Sequence, residues 1–364
     1  MGIPAKSSSK GTGKAGLRKY LGLQVLRLVA ATMVVITHGI LFTTERLDRH
    51  FGLWERGGRG VDIFFALSGF VMIYSSTKIM EGCDGWKIFA ERRIVRIVPM
   101  YWIATSIKVV AVLFTTGYAL HAQLSLVNTV FSYVFLPSYS SEGKISPVLG
   151  VGWTLNIEMF FYFLFTLALF FRWNVFKFVG AVLGLLAVAS FFRQLYWPPA
   201  AFYANIMVLE FFYGMVIAKI CLSGKHISKY LAIPLLCLGL VCLMAPWSIE
   251  PKLDYVLVGL VAAVIVYSMA SLEDHMTRIP KWVLYMADAS YVIYLFHPMI
   301  APAVPVVMMK FHFIHPWFSV VCCVIIALAS GCLIHKYVED PITRWFRAHL
   351  LIRGKKFIHP VATV

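Results

Sequence analysis

The chain reads as an all-α polytopic membrane protein, with about ten transmembrane helices around a central cavity and both termini cytoplasmic. Three observations carry this reading. Of the 364 residues, 60% are hydrophobic and 14% charged. The mean hydropathy is +0.78, and the apolar residues fall into continuous runs of about 20, the length that spans a bilayer as a helix. A soluble domain needs more charge to wet its surface. The runs are also longer than barrel strands and lack their alternation, which excludes an outer-membrane barrel.

Ten runs serve as spans, near 21–43, 61–79, 94–116, 150–171, 176–195, 202–222, 230–247, 254–272, 286–309 and 316–338. The third, sixth and ninth carry polar interruptions. No internal repeat is evident, and the longest non-apolar stretch after the N-terminal tail, near 117–149, is too short to hold a core of its own. One membrane domain over 21–347 is therefore expected, between a disordered basic cytoplasmic tail at 1–20 and a basic cytoplasmic tail at 348–364. The first tail is rich in Gly, Ser and Lys. It leads into an apolar run that is too long, and lacks the small-residue cleavage site, for a signal peptide. Its opening MGIPAKS fits a myristoylation pattern only formally, since the rest of the chain needs no anchor.

Thirty-three Lys and Arg stand against 17 Asp and Glu, a net charge of +16. In a soluble protein that excess would suggest nucleic-acid binding, but here it must first be sorted by loop. With the N-terminus inside, the cytoplasmic segments and span ends collect 23 basic residues and the opposite side eight, leaving Arg27 and Lys108 within the membrane. The charge is thus a topology signal with anionic lipid contact as its side effect, and no nucleic-acid partner is expected. Seven cysteines form no CxxC pair and lie mostly in spans, so they read as apolar filler and no metal site is expected.

The first span, LGLQVLRLVAATMVVITHGILF, holds the most informative pair. Arg27 and His38 are eleven residues apart, three helical turns plus about 20°, so both leave one stripe about 16 Å apart along the axis. Ionisable residues at such depth imply a task. A ligand bridging them is long, anionic at one end and reactive at the other. Taken singly, Arg27 also reads as a snorkelling arginine and His38 as a helix-to-helix hydrogen-bonding partner.

In the second span, GRGVDIFFALSGFVMIY, Ser68 and Gly69 are small residues that let helices approach. Packing is the favoured reading for both, with the Ser68 hydroxyl kept among the candidate substrate contacts. Asp62 sits at the expected outer rim, as suited to capping as to binding. Arg93 and Arg96, three apart in ERRIVRIVPMYW, share one helix face. They satisfy the positive-inside rule alone, but with Arg27 they would also form a phosphate cradle. Arg92 faces lipid headgroups.

The fourth span, VGWTLNIEMFFYFLF, carries Glu158 about 12 Å below the outer surface, where a carboxylate needs a partner. His38 lies about 7 Å deep by the same count, so the expectation is that the two meet in the outer third of the membrane. Trp153 fits an interfacial belt or a substrate contact, and Asn156 a polar substrate. In the ninth span, SYVIYLFHPMIAP, His297 precedes Pro298, whose missing N–H frees a carbonyl and favours a polar cavity. A structural use of His297 and a substrate contact remain open.

Six motifs in this order, LRLVAATMVVITHG, GVDIFFALSGFVM, RRIVRIVPMYW, GWTLNIEMFFY, SYVIYLFHP and VEDPITRWF, resemble the acyltransferase-3 family of integral-membrane acyltransferases from about 20 to 347. The chain looks most like its bacterial exopolysaccharide O-acetyltransferases, of the kind that decorate succinoglycan and xanthan. The resemblance implies a multi-pass protein of the bacterial inner membrane. It would move an acyl group, usually acetyl, from cytoplasmic acetyl-CoA to a sugar hydroxyl of a lipid-linked or nascent polysaccharide. Its partners are acyl-CoA, that oligosaccharide or polysaccharide acceptor, membrane lipids and the polysaccharide-synthesis machinery. The family's expected functional residues map onto Arg27, His38, Arg93, Arg96 and Glu158.

The mechanism expected from these residues seats the coenzyme A phosphates on Arg27, Arg93 and Arg96 and uses His38 as general base. Glu158 orients His38 or binds the acceptor. Direct transfer and a transient acyl-histidine both remain open. A secondary transporter or flippase is the competing class, although matched Gly- or Pro-broken spans in two halves are not found. A scaffold in a polysaccharide-synthesis assembly does not explain the cost of burying Arg27, His38 and Glu158.

Overall fold

The computed structural model describes residues 19–349 apart from 78, 81, 83, 115–124, 195–196, 247, 249 and 277. Residues 1–18 and 350–364 of the two expected tails, the basic Lys78 and the cysteine at 83 lie outside the described residues. The chain folds as α1 (Leu21–Arg46), α2 (Gly60–Ser76), α3 (Gly85–Phe114), α4 (Leu126–Tyr133), α5 (Trp153–Phe170), α6 (Val175–Phe192) and α7 (Leu209–Leu222). It continues as α8 (Lys229–Met244), α9 (Pro251–Ser271), α10 (Lys281–Asp288), α11 (Ser290–Ile300), α12 (Ala303–Lys310), α13 (Pro316–Ile334) and α14 (Asp340–His349). No strand occurs among the described residues, and one isolated antiparallel bridge joins Tyr139 to Ile145.

The protein is an all-α polytopic membrane protein. Among the described residues, eight helical stretches are long and apolar enough to cross a bilayer: Leu21–Arg46, Arg56–Ser76, Gly85–Phe114, Gly150–Phe170, Val175–Phe192, Leu253–Ser271, Ser290–Lys310 and Pro316–His349. The two other expected spans are shorter as helices. The run 202–222 opens with 3₁₀ turns at Pro199–Tyr203 and Ile206–Val208 before α7, and 230–247 becomes α8 with Pro234 inside it. Large apolar side chains such as Leu185, Phe192, Trp317 and Ile325 face outward, as lipid contact requires.

α1 is the central element, packed against α2, α9, α11 and α13. Its N-terminus has no cap from its own neighbours in sequence. Glu273, in the short turn after α9, supplies one instead: its carboxylate accepts from the Leu21 N–H at 2.7 Å and the Gly22 N–H at 2.9 Å. A negative group there satisfies orphan donors and complements the helix dipole. At the other end Thr43 Oγ1 and Ser319 Oγ, 2.8 Å apart, tie α1 to α13.

α2 and α7 form the closest helix pair, and glycine makes it possible. A Cβ at Gly69 would run into the Phe211 carbonyl, and one at Gly214 into the Ala66 carbonyl. Close backbone approach through small residues is how helices associate where lipid removes the hydrophobic drive. Arg59, just before α2, donates from Nη1 to the Leu243 carbonyl at 2.8 Å and so fixes the end of α8.

Candidate functional site

A narrow cavity of about 80 Å³ opens between α1, α2, α3, α5 and α11, and Arg27, Ser68, Arg93, Arg96, Glu158 and Tyr162 contribute its polar lining. Thr154, Tyr291 and Tyr294 line it further along. The volume holds several waters but no nucleotide. All three arginines singled out from sequence are therefore brought to one place, from two helices.

Within the cavity Glu158 is held by α2 and by its own helix. Ser68 Oγ donates to Glu158 Oε1 at 2.8 Å, and the Tyr162 hydroxyl donates to the same oxygen. Tyr162 stands four residues after Glu158, one turn on, which is why the two meet on one face. The Arg93 guanidinium lies 5.7 Å from the Phe89 ring and 5.8 Å from the Tyr162 ring, within cation–π range, and its Nη2 donates to Ser75 Oγ at 3.3 Å. Glu158 is the carboxylate acting on both Arg27 and Arg93, and Glu339 acts on Arg27 as well, so the cradle carries built-in counter-charge.

His38 does not meet Glu158, contrary to the expectation from depth. It pairs instead with His297, His38 Nδ1 to His297 Nε2 at 2.6 Å. Tyr294 is the reason for the separation. Its hydroxyl lies 3.0 Å from Thr154 Oγ1 and donates to the Val151 carbonyl at 3.1 Å, which sets the register of α11 against α5. Glu158 is one turn from Thr154 in one direction, roughly 6 Å, and His297 is three residues from Tyr294 in the other, roughly 4.5 Å, so about 10 Å divides them along the axis.

The remaining candidates are scattered. Ser68 lines the cavity, whereas Trp153 packs edge-on against Phe65 with ring centroids 6.3 Å apart and is absent from the lining. Asn156 is buried at 1% exposure with Oδ1 unpartnered, outside that lining. His297, 1% exposed, sits behind His38 and not on the cavity. Asp62 is not a rim residue: it is 3% exposed in the first turn of α2 and faces Glu210 of α7, also buried. Sequence reading missed Tyr162 and Tyr294, although the four-residue step from Glu158 and the three-residue step to His297 were the available signals. Among the described residues no group of three or more His, Cys, Asp or Glu could hold a metal ion.

Long apolar helices enclose a buried arginine cradle, with a histidine pair beyond it, and define a multi-pass membrane protein. The sequence matches the model of the acyltransferase domain over residues 20–336, and the chain belongs to that acyltransferase-3 family. It is therefore an acyltransferase. It is 32% identical to the exopolysaccharide production protein ExoZ of Rhizobium meliloti (strain 1021), over 71% of this chain and 80% of ExoZ. It is 27% identical to YrhL of Bacillus subtilis (strain 168), whose name proposes a peptidoglycan O-acetyltransferase, over 93% of this chain and 57% of that protein. No solved structure matches the chain.

Proposed function

We propose that the protein moves an acetyl group from cytoplasmic acetyl-CoA to a sugar hydroxyl of a lipid-linked or nascent exopolysaccharide in the bacterial inner membrane. The coenzyme A phosphates rest on Arg27, Arg93 and Arg96, whose guanidinium forks suit phosphate oxygens two at a time. A cavity of about 80 Å³ leaves the adenosine outside, so the pyrophosphate meets the arginines at its lining and only the slim thioester arm continues along α1, past Tyr294 to His38.

His38 then acts as general base. The sugar oxygen attacks the thioester carbonyl as its proton passes to the imidazole; the carbon–sulfur bond breaks, and the departing sulfur takes the proton back as the free thiol. Ser68, Tyr162 and Glu158 keep the cavity polar and hold the cradle open between turnovers. With the N-terminus in the cytoplasm and about ten spans, the cradle faces the acyl-CoA pool and the acceptor reaches His38 from the opposite side.

The single observation that carries this reading is the convergence of Arg27, Arg93 and Arg96 on one cavity, with His38 further along the same stripe of α1. Purified protein in lipid nanodiscs with labelled acetyl-CoA and a membrane glycan fraction tests it. The expected result is free coenzyme A together with label on the glycan. Glycan movement across the bilayer without coenzyme A release would establish the transporter class instead.

A further inference from the structure

We propose that Pro298 and His297 act as a relay that fixes His38 in the Nδ1–H tautomer, leaving its Nε2 lone pair for the substrate hydroxyl. This rests on the reading of His38 as the base.

α11 runs through Pro298 without interruption. In a helix the N–H of residue 298 would bond to the carbonyl of residue 294, but proline has no N–H, so the Tyr294 carbonyl loses its ordinary partner. His297 takes that place: its Nδ1 lies 2.7 Å from the Tyr294 oxygen, with the Ile293 oxygen at 3.3 Å. Carbonyl oxygens only accept, so the His297 Nδ1 bears hydrogen. A neutral imidazole carries one N–H, and the His297 Nε2 is therefore a lone pair.

That lone pair faces His38 Nδ1 at 2.6 Å. Two lone pairs do not meet at that distance, so His38 Nδ1 bears hydrogen and its Nε2 is the free acceptor. The ring centroids are 4.9 Å apart and the planes only 21° from parallel. Rings lying face to face could not bring two nitrogens so close, so the imidazoles meet edge to edge, as a linear N–H···N bond requires. Phe42, with its ring centroid 5.9 Å from that of His38, packs on the same imidazole and limits its rotation. A base in the other tautomer would present N–H to the hydroxyl and accept nothing; the hydrogen bond at the far nitrogen decides which form exists. His297 is a positioning residue, since it is buried behind His38 and touches no substrate.

Two measurements test the relay. Solid-state NMR of histidine-labelled protein, with His38→Ala and His297→Gln spectra for assignment, should show Nδ1–H tautomers for both histidines in the resting wild type; a His38 signal from the Nε2–H form overturns the proposal. In turnover with acetyl-CoA, His297→Phe keeps the ring but removes the acceptor. It should lower kcat about 100-fold, the scale of a general-base contribution, with KM for acetyl-CoA within about twofold. His297→Gln, whose amide oxygen can accept from His38 while its NH₂ donates to Tyr294, should recover kcat to within about tenfold of wild type. His297→Phe with wild-type kcat, or a His297→Gln enzyme no better than a poorly active His297→Phe, refutes the relay. His38→Ala separates the two ideas: full activity there refutes the base reading, while the tautomer spectrum still decides whether the relay exists.

Discussion

Removing the Glu273 carboxylate should loosen the start of α1 and weaken acyl-CoA binding from a position outside the cavity. Glu273 accepts two hydrogen bonds from the first N–H groups of α1, at 2.7 and 2.9 Å. It is 6% exposed, so water replaces it poorly. Bonds to a charged acceptor contribute roughly 1.5–3 kcal/mol each, which puts Glu273→Ala at about 3–6 kcal/mol. At roughly 2 °C per kcal/mol for a domain of this size, the unfolding midpoint in detergent should fall by about 6–12 °C. Arg27 sits less than two turns beyond these bonds, so fraying should also raise the KM for acetyl-CoA several-fold. Glu273→Gln keeps one acceptor oxygen and should lie between the two. A midpoint for Glu273→Ala within 1–2 °C of wild type, in differential scanning fluorimetry, would refute the idea that this remote carboxylate holds α1 in place.

Arg93→Ala should raise the KM for acetyl-CoA about tenfold or more with little change in kcat, and Arg93→Lys should recover only part of it, because an ammonium lacks the planar fork. Equal kinetics for both variants and wild type would remove Arg93 from the cradle. Glu158→Gln takes the counter-charge shared by Arg27 and Arg93 and leaves Ser68 and Tyr162 sharing one amide oxygen; kcat should fall at least about tenfold while acetyl-CoA binding, by isothermal titration, holds or tightens. Weaker binding would contradict that sign. Gly214→Ala should destabilise the protein by about 1–3 kcal/mol in the same scanning assay, because its new methyl meets the Ala66 carbonyl of α2.

Much of this architecture was legible in particular residues. The stripe from Arg27 to His38 follows from helical periodicity alone, and the proximity of Arg93 and Arg96 follows from their three-residue spacing. Pro298 signalled a freed carbonyl, and the Tyr294 oxygen is that group. Contacts between helices were far less readable. Glu158 and His38 were expected to meet because both, counted from span ends, fell in the outer third of the membrane, yet the register is set by the Tyr294 hydroxyl on Val151 and Thr154, contacts 143 and 140 residues apart in sequence. The ninth span hides a division into α10, α11 and α12: Pro302 marks the break before α12, whereas no proline marks the break at Ala289 between α10 and α11. The last span runs on through a π-turn at His335–Glu339 into α14, where His335 Nδ1 meets Glu339 Oε2 at 2.5 Å and bridges what reads as a polar end.

Cryo-electron microscopy of the protein bound to a non-hydrolysable thioether analogue of acetyl-CoA tests the central claim most directly. The account predicts pyrophosphate oxygens within hydrogen-bond distance of Arg27, Arg93 and Arg96, the adenine outside the cavity, and the acyl carbon on the far side of Tyr294 beside His38 Nε2. An analogue that stops at Glu158 with its acyl carbon short of Tyr294, or that enters from the opposite end of α1, would contradict it.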